Sequence, residues 1–547
     1  MTDTVVHTHP SLGQIRGLAK PKVRQFRGLK YASLKDRFAR GELARSLPAG
    51  ADGVVDATKY GPTALQPAWG LPGEYELIQQ AIPEQLQSPL PASDLDGLNL
   101  SVTIPAAAPL SPSSSYPVFV WVHGGGYSVG SGAWLHYDMA RLVALSVELG
   151  SPVVAVSINY RLGAPGFLTS PAMRAAGYAP NNGLHDQRLA FSWVRAHIGG
   201  FGGDPAAVTF AGESAGAVAG TLHLQGEEPL FERIVSMSGT SLMLKPLPPP
   251  VSEFAYAGVV EALGLKELEP AEQVKKLVEM PAEELMAKIP PSVPLLPCVD
   301  GDMVKAMSTY EGLADTLAGM QWCKDMLIGD LRFDSHVLPI VGMLRIADHS
   351  KPIAKSLKSM LSDGLSPSVV ERIISAYNIN TDATDNSPAN IKPVLYFAND
   401  MAFFLTAHAF ATAYAANPNA TAYYYHFNTP NPWDGAWKGE STHVLDCAYL
   451  FQNYNDKLSP ADAALAKRFA TDFISFAAGK KVWEPYSTAK RGSMVYKPAG
   501  ETGEGCAKYV EGETEDKIDR KHVVLEIGQE IGFDKFADAW EAFLRGH

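Results

Sequence analysis

The chain has 547 residues, 46% hydrophobic and 19% charged, a balance that supplies ample core material and excludes a wholly disordered protein. Against 46 basic residues stand 58 acidic ones, and the formal charge of −12 repels phosphate backbones and anionic lipid, so nucleic acid is not expected as a partner. The start, MTDTVVHTHPSLGQIRGLAKPKVRQF, has no apolar h-region behind a basic n-region, and no stretch of about 18 uninterrupted apolar residues suggests a membrane span; a cytoplasmic location is the expectation.

In chain order, Ser111 to Pro117 is a Ser/Pro loop, and Val118 to Val122 and Val153 to Ile158 are short β-branched runs that read as buried strands. Leu184 to Ile198 (LHDQRLAFSWVRAHI) repeats its apolar residues at helical spacing, and Val208 to Ala211 is a third strand. A helix after Ser214 and a strand near Ile234 to Met237 continue the alternation. Strand, helix, strand in this order implies an α/β fold with a mostly parallel sheet covered on both faces. From 241 to 325 and from 345 to 415 the pattern turns helical, which predicts two insertions interrupting the sheet, with strands at Met326 to Ile328 and Ala422 to Phe427 resuming it. Lys490 to Lys521 reads as a surface excursion and FDKFADAWEAFL as a closing amphipathic helix. Length alone suggests several domains, whereas the continuous alternation predicts a single elaborated domain over 1–547.

Two motifs and two further candidate positions carry chemistry. Gly212-Glu213-Ser214-Ala215-Gly216 matches G-x-S-x-G between the strand VTFA and a helix-compatible run, the context a strained nucleophile turn requires. The helix start beyond it places backbone N–H donors and a positive dipole end beneath a developing oxyanion. His123-Gly124-Gly125-Gly126-Tyr127 follows a strand and offers glycine N–H groups that a ligand can approach unobstructed, which suits an oxyanion hole; no Gly-Lys-Ser/Thr follows, so it is not a P-loop.

A serine hydroxyl needs a base, and of the 14 histidines His443 falls in a polar loop after the strand AYYYHF, on the side where the strands end. His426 lies inside that strand and His408 within a helical pattern. The order Ser, acid, His places the acid between 214 and 443. Asp334 lies just beyond the strand MLI, and Asp330 and Asp300 are its competitors. Cys298, Cys323, Cys447 and Cys506 lack the paired spacing of zinc or redox sites and read as free thiols. Sequons stand at Asn99 and Asn419.

QFRGLKYA near residue 28, HGGGY at 123, NYRLGAPGFL from Asn159, NNGLHDQRLAFSWVRAHIGGFGGDPAAVTFAGESAGA from Asn181, MSGT at 237 and THVLDCAYLF from Thr442 together resemble the type-B carboxylesterase family, the cholinesterase-like branch of the α/β-hydrolase fold. The resemblance implies Ser214 as nucleophile, His443 as base and an oxyanion hole from the N–H groups of Gly125, Gly126 and Ala215. It places the acid five positions beyond Gly329, at Asp334, with Glu213 and Ser238 as supporting side chains, Ser238 as a partner of the acid. It implies hydrolysis of a small organic ester through an acyl-enzyme, with no metal or organic cofactor and a small-molecule ester as partner. An acyltransferase that resolves the same intermediate with an alcohol or amine uses the same residues, and a non-catalytic scaffold on this fold is a third reading. Gly97 stands where secreted members carry a disulfide cysteine, consistent with the cytoplasmic expectation. Natural ester and oligomeric state are not legible.

Overall fold

The computed structural model describes residues 3–107, 115–498, 506–512 and 520–545. A 13-stranded sheet organises them. Its strands are β1 (Thr4–His9), β2 (Gly13–Ala19), β3 (Val23–Lys30), β4 (Val54–Asp56), β5 (Asn99–Pro105), β6 (Tyr116–Val122), β7 (Val154–Ile158), β8 (Gly203–Glu213), β9 (Arg233–Met237), β10 (Asp325–Leu331), β11 (Thr421–Phe427), β12 (Ser493–Tyr496) and β13 (Ala507–Val510). They run β1-β2-β3-β5-β7-β6-β8-β9-β10-β11-β12-β13, with β4 against β2.

From β7 to β12 every pairing is parallel, and the strands at its centre are continuous apolar runs because helices cover both faces. The first strands pair antiparallel and were not legible as strands: their inward residues include His7, His9 and Gln25, whose Nε2 atoms reach partners remote in sequence. Register aligns the far ends of the parallel strands, with Gly212 opposite Val122, Glu213 opposite Met237, Met237 opposite Gly329 and Gly329 opposite Tyr425. The loops leaving β6, β8, β10 and β11 therefore meet over one edge.

Two sequence expectations change here. The loop Ser111 to Pro117 gives way to β6 at Tyr116, and residues 111–114 lie outside the described residues. The segment 490–521 holds β12 and β13, an antiparallel pair that extends the sheet, while 499–505 and 513–519 lie outside the described residues.

Helix α1 (Gly70–Ile78) precedes the sheet's centre, α2 (Asn182–His197) joins β7 to β8, and α3 (Ala215–His223) follows β8. Arg161 fixes α2 by a two-pronged buried contact, Nε and Nη2 each 2.7 Å from the Asp186 carboxylate. The first insertion is helical at Pro249–Ala262, Pro270–Glu279 and Ala282–Lys288, and packs on a small apolar cluster of its own with Phe38, Leu168 and Met173. The second is helical at Ile353–Gly364, Pro367–Ala376 and Pro388–Ala416, the last interrupted by a π turn at Asp400–Phe404, and it joins the main core with the closing helix Phe533–Arg545. Pro388–Ala416 is long and apolar enough to cross a membrane, but 89% of its apolar window is buried against the rest of the fold, which makes it a core helix. All four cysteines are buried and unpaired. Asn99 is buried with its amide donating to the Pro62 carbonyl, so the first sequon is not available to a transferase.

Candidate active site

Strand β8 ends at Glu213 and α3 begins at Ala215, which leaves Ser214 alone at the corner with φ 53° and ψ −126°. An L residue there stores about 1–3 kcal/mol of strain. Two hydrogen bonds hold it: Ser214 N–H donates to Met237 O, and its carbonyl accepts from Val218 N–H, both at 2.9 Å. Glycine is required on either side, since a Cβ at Gly212 would come within 2.5 Å of Gly216 and one at Gly216 within 2.1 Å of the Val122 carbonyl oxygen.

The loop after β6 passes close above this corner. A Cβ at Gly124 would stand 2.6 Å from a Glu213 carboxyl oxygen, and one at Gly125, whose φ is +96°, 2.2 Å from the Val129 carbonyl oxygen. The N–H groups of Gly125, Gly126 and Ala215 meet no acceptor among the described residues, so they are free to receive one. Gly125, Gly126 and Ser214 line a cavity of about 210 Å³, while Ala215 lies buried beneath Ser214 in the first turn of α3.

His443 lines the same cavity. Its loop is tied to the acid's loop through Phe333 N–H, which donates to Ser441 O at 3.0 Å. His443 Nδ1 stands 2.6 Å from Asp334 Oδ1, both fully buried. A carboxylate only accepts, so Nδ1 carries a proton, and in the neutral imidazole Nε2 is the acceptor. Asp334 Oδ2 is held by Leu331 N–H at 2.7 Å and by the Ser238 hydroxyl at 3.0 Å, Ser238 itself sitting at φ 48°.

Glu213 Oε1 lies 2.9 Å from His443 Nε2 but outside hydrogen-bonding direction, so both atoms are buried without a hydrogen-bond partner. No hydrogen bond joins Ser214 Oγ to the imidazole. Burial pushes the Glu213 carboxyl up to about 7 against the pull of His443. Burial also opposes a charged imidazole, but the Glu213 and Asp334 carboxylates outweigh it and hold His443 well above its ordinary range.

The competing residues are engaged elsewhere. Asp330 accepts from His426 Nδ1 and Lys521 Nζ at 3.0 Å and from Tyr424 at 2.7 Å, a buried ion cluster. Burial disfavours its charge, yet His426 and Lys521 hold the carboxyl below its usual range. Asp300 shapes a turn, accepting from Asp302 and Val304 N–H. His408, half-buried, pairs with the Tyr486 hydroxyl at 3.0 Å.

The two insertions stand in different relations to the site. Met286, Ile289, Pro290, Pro291, Val293 and Leu295 of the first line the cavity, whereas the second contributes none of its lining. Val337, Ile340, Val341 and Gly342 take that place. The second insertion instead lies beneath: Asn399 spans Leu331 and Ser335 on either side of Asp334, and the Phe403 ring packs 5.5 Å from that of His443. Glu74 of α1 was missed, although Gly70, Gly73, Glu74 and Leu77 share one helical face and all line the cavity. Its signal was a carboxylate within that face. Asp446, buried with its carboxyl pushed well up by burial and by Glu213 and Asp334, lay inside a recognised motif but drew no reading.

Residues 2–514 match the model described as "Carboxylesterase family". Lipase 3 of Yarrowia lipolytica is 30% identical over 480 residues, which cover 84% of this chain and 86% of that protein. Para-nitrobenzyl esterase of Bacillus subtilis is 33% identical over 288 residues, and there the match spans about half of each chain, 52% and 52%. A solved structure titled PNB esterase superposes with a TM-score of 0.71 over 94% of this chain and 99% of the other at 23% identity, a likeness of fold, and that fold is the α/β-hydrolase fold.

Proposed function

The chain belongs to the carboxylesterase family, and on that premise we propose that it hydrolyses carboxylic esters of small organic molecules through an acyl-enzyme on Ser214. His443 Nε2 takes the hydroxyl proton as Ser214 Oγ attacks the ester carbonyl, and Asp334 stabilises the imidazolium that forms. The N–H groups of Gly125, Gly126 and Ala215 receive the oxyanion, each worth roughly 3–4 kcal/mol in such sites. His443 then gives its proton to the departing alcohol and activates water against the acyl-enzyme. The contact from Nε2 to Ser214 Oγ forms with substrate bound, as catalytic hydrogen bonds are often loose in the free enzyme.

The observation that carries this reading is one cavity shared by a strained serine and a histidine whose Nδ1 is held 2.6 Å from a buried carboxylate. Wild type and Ser214→Ala are compared on p-nitrophenyl esters of increasing acyl length, with fluorophosphonate labelling to count reactive serines. The expected result is a loss of about 10⁴-fold or more in turnover and of all labelling. Labelling retained at another serine overturns the assignment. A cytoplasmic location is part of the same proposal; its support is four buried free thiols and Gly97 at the disulfide position, and cell fractionation tests it.

A further inference from the structure

We propose that Glu74 is a specificity-determining residue: it selects esters that carry a hydrogen-bond donor, a hydroxyl or a protonated amine, on the part that reaches α1. The proposal rests on the acyl-enzyme reading above, since it concerns the same cavity. Glu74 is 6% exposed and lines the cavity together with Ser214 and His443. The surrounding wall is mostly apolar, with Leu77, Val129, Ile340 and Val341 among its side chains. A carboxylate in such a wall is costly unless its oxygens are satisfied.

Only one of them is. Tyr137 donates its hydroxyl to Glu74 Oε1, and His136 Nε2 lies 3.5 Å from the same oxygen. No donor among the described residues meets Oε2. Burial disfavours the charge, but His136 and Tyr137 hold the carboxyl below its usual range, so near neutral pH the free oxygen belongs to a carboxylate and can only accept. Glu213, also buried on the cavity wall, is engaged instead with His443, its Oε1 2.9 Å from Nε2.

Glycines keep the approach open. Gly70 and Gly73 share the helical face of Glu74, and Gly70 allows α1 to close on Val129, where a Cβ would lie 2.9 Å from the valine Cβ. The result is an acceptor, Glu74 Oε2, that opens on the cavity and meets no protein donor among the described residues. A ligand O–H or N–H supplies the missing bond. An ester ending in a methyl group leaves the acceptor desolvated and unpaired, the situation that gives strong discrimination.

The test measures kcat/KM for matched esters differing only in a terminal group: methyl, hydroxyl or ammonium, placed in turn on the acyl and the alcohol side. Wild type, Glu74→Gln and Glu74→Leu are compared, with thermal unfolding to confirm that each is folded. Wild type is expected to prefer one donor-bearing ester over its methyl counterpart by about tenfold or more, and Glu74→Leu to bring that ratio near one. A larger loss for the ammonium ester in Glu74→Gln than for the hydroxyl ester identifies charge as the recognised feature; equal losses identify the donor alone. The ratio divides out any loss common to all substrates. A wild-type ratio near one on both sides of the ester, or a ratio that survives in Glu74→Leu, overturns the proposal. Failure of the acyl-enzyme reading shows separately, as turnover that persists in Ser214→Ala.

Discussion

Replacing Asp334 by Asn changes one atom of the carboxyl and should nearly abolish turnover. Oδ2 accepts two donors, Leu331 N–H at 2.7 Å and the Ser238 hydroxyl at 3.0 Å, while Oδ1 faces His443 Nδ1 at 2.6 Å. Asparagine has a single acceptor oxygen, and the two donors claim it; the reverse orientation would set the amide N–H against both at about 1–3 kcal/mol for each unmet bond. The NH₂ group therefore faces Nδ1, which must become an acceptor. The imidazole proton then moves to Nε2, where the serine proton has to go. The expected fall in kcat is about 10⁴-fold, or roughly 5.5 kcal/mol at about 1.36 kcal/mol per decade, with little change in the melting curve. Asp330→Asn is the control, because its three donors come from His426, Lys521 and Tyr424 and none from His443. That variant loses about 3–5 kcal/mol of stability, as a buried cluster does when one partner is removed, and keeps kcat within about tenfold. Since the Asp330 carboxyl is held below the ordinary 3.8, its contribution to stability is complete above that value and disappears as pH falls through the lower folded one. Steady-state kinetics on p-nitrophenyl butyrate and chemical unfolding measure both. An Asp334→Asn enzyme within tenfold of wild type, or an Asp330→Asn enzyme that is inactive but stable, would refute the reasoning.

Two further outcomes follow from the same geometry. Glu213→Gln removes one of the two carboxylates that hold His443 above its ordinary pKa; because the base must be neutral and turnover rises through that pKa, the acid limb of kcat/KM moves to lower pH, and an unmoved limb means Glu213 does not act on the imidazole. Gly125→Ala forces a Cβ to within 2.2 Å of the Val129 carbonyl oxygen at a φ of +96°, so the loop shifts and a donor is lost. A decrease in kcat of about 10²–10³-fold is expected, and full activity would show that this N–H does not hold the oxyanion.

The sequence by itself determined the parallel half of the sheet and the two motifs on it. Apolar runs bounded by glycine, an intervening helical period and G-x-S-x-G at a strand-to-helix junction are local signals, readable because the tight turn at Ser214 brings the Gly216 backbone within 2.5 Å of a Cβ added at Gly212. The antiparallel N-terminal strands stayed hidden, as polar residues such as His7 and Gln25 face inward, where their Nε2 atoms meet remote partners. Tertiary structure alone decided which carboxylate meets His443. Asp330 and Asp334 are four residues apart, one at the end of β10 and one just beyond it, and only the positions of Lys521, His426 and Leu331 send them to different partners. The same holds for Glu74, more than a hundred residues before the serine it stands near, since a helical face reveals that a carboxylate shares a stripe with glycines but not what lies opposite. Periodicity and steric need are written in neighbouring residues; the environment of a charge is a sum over segments that only the folded chain brings together.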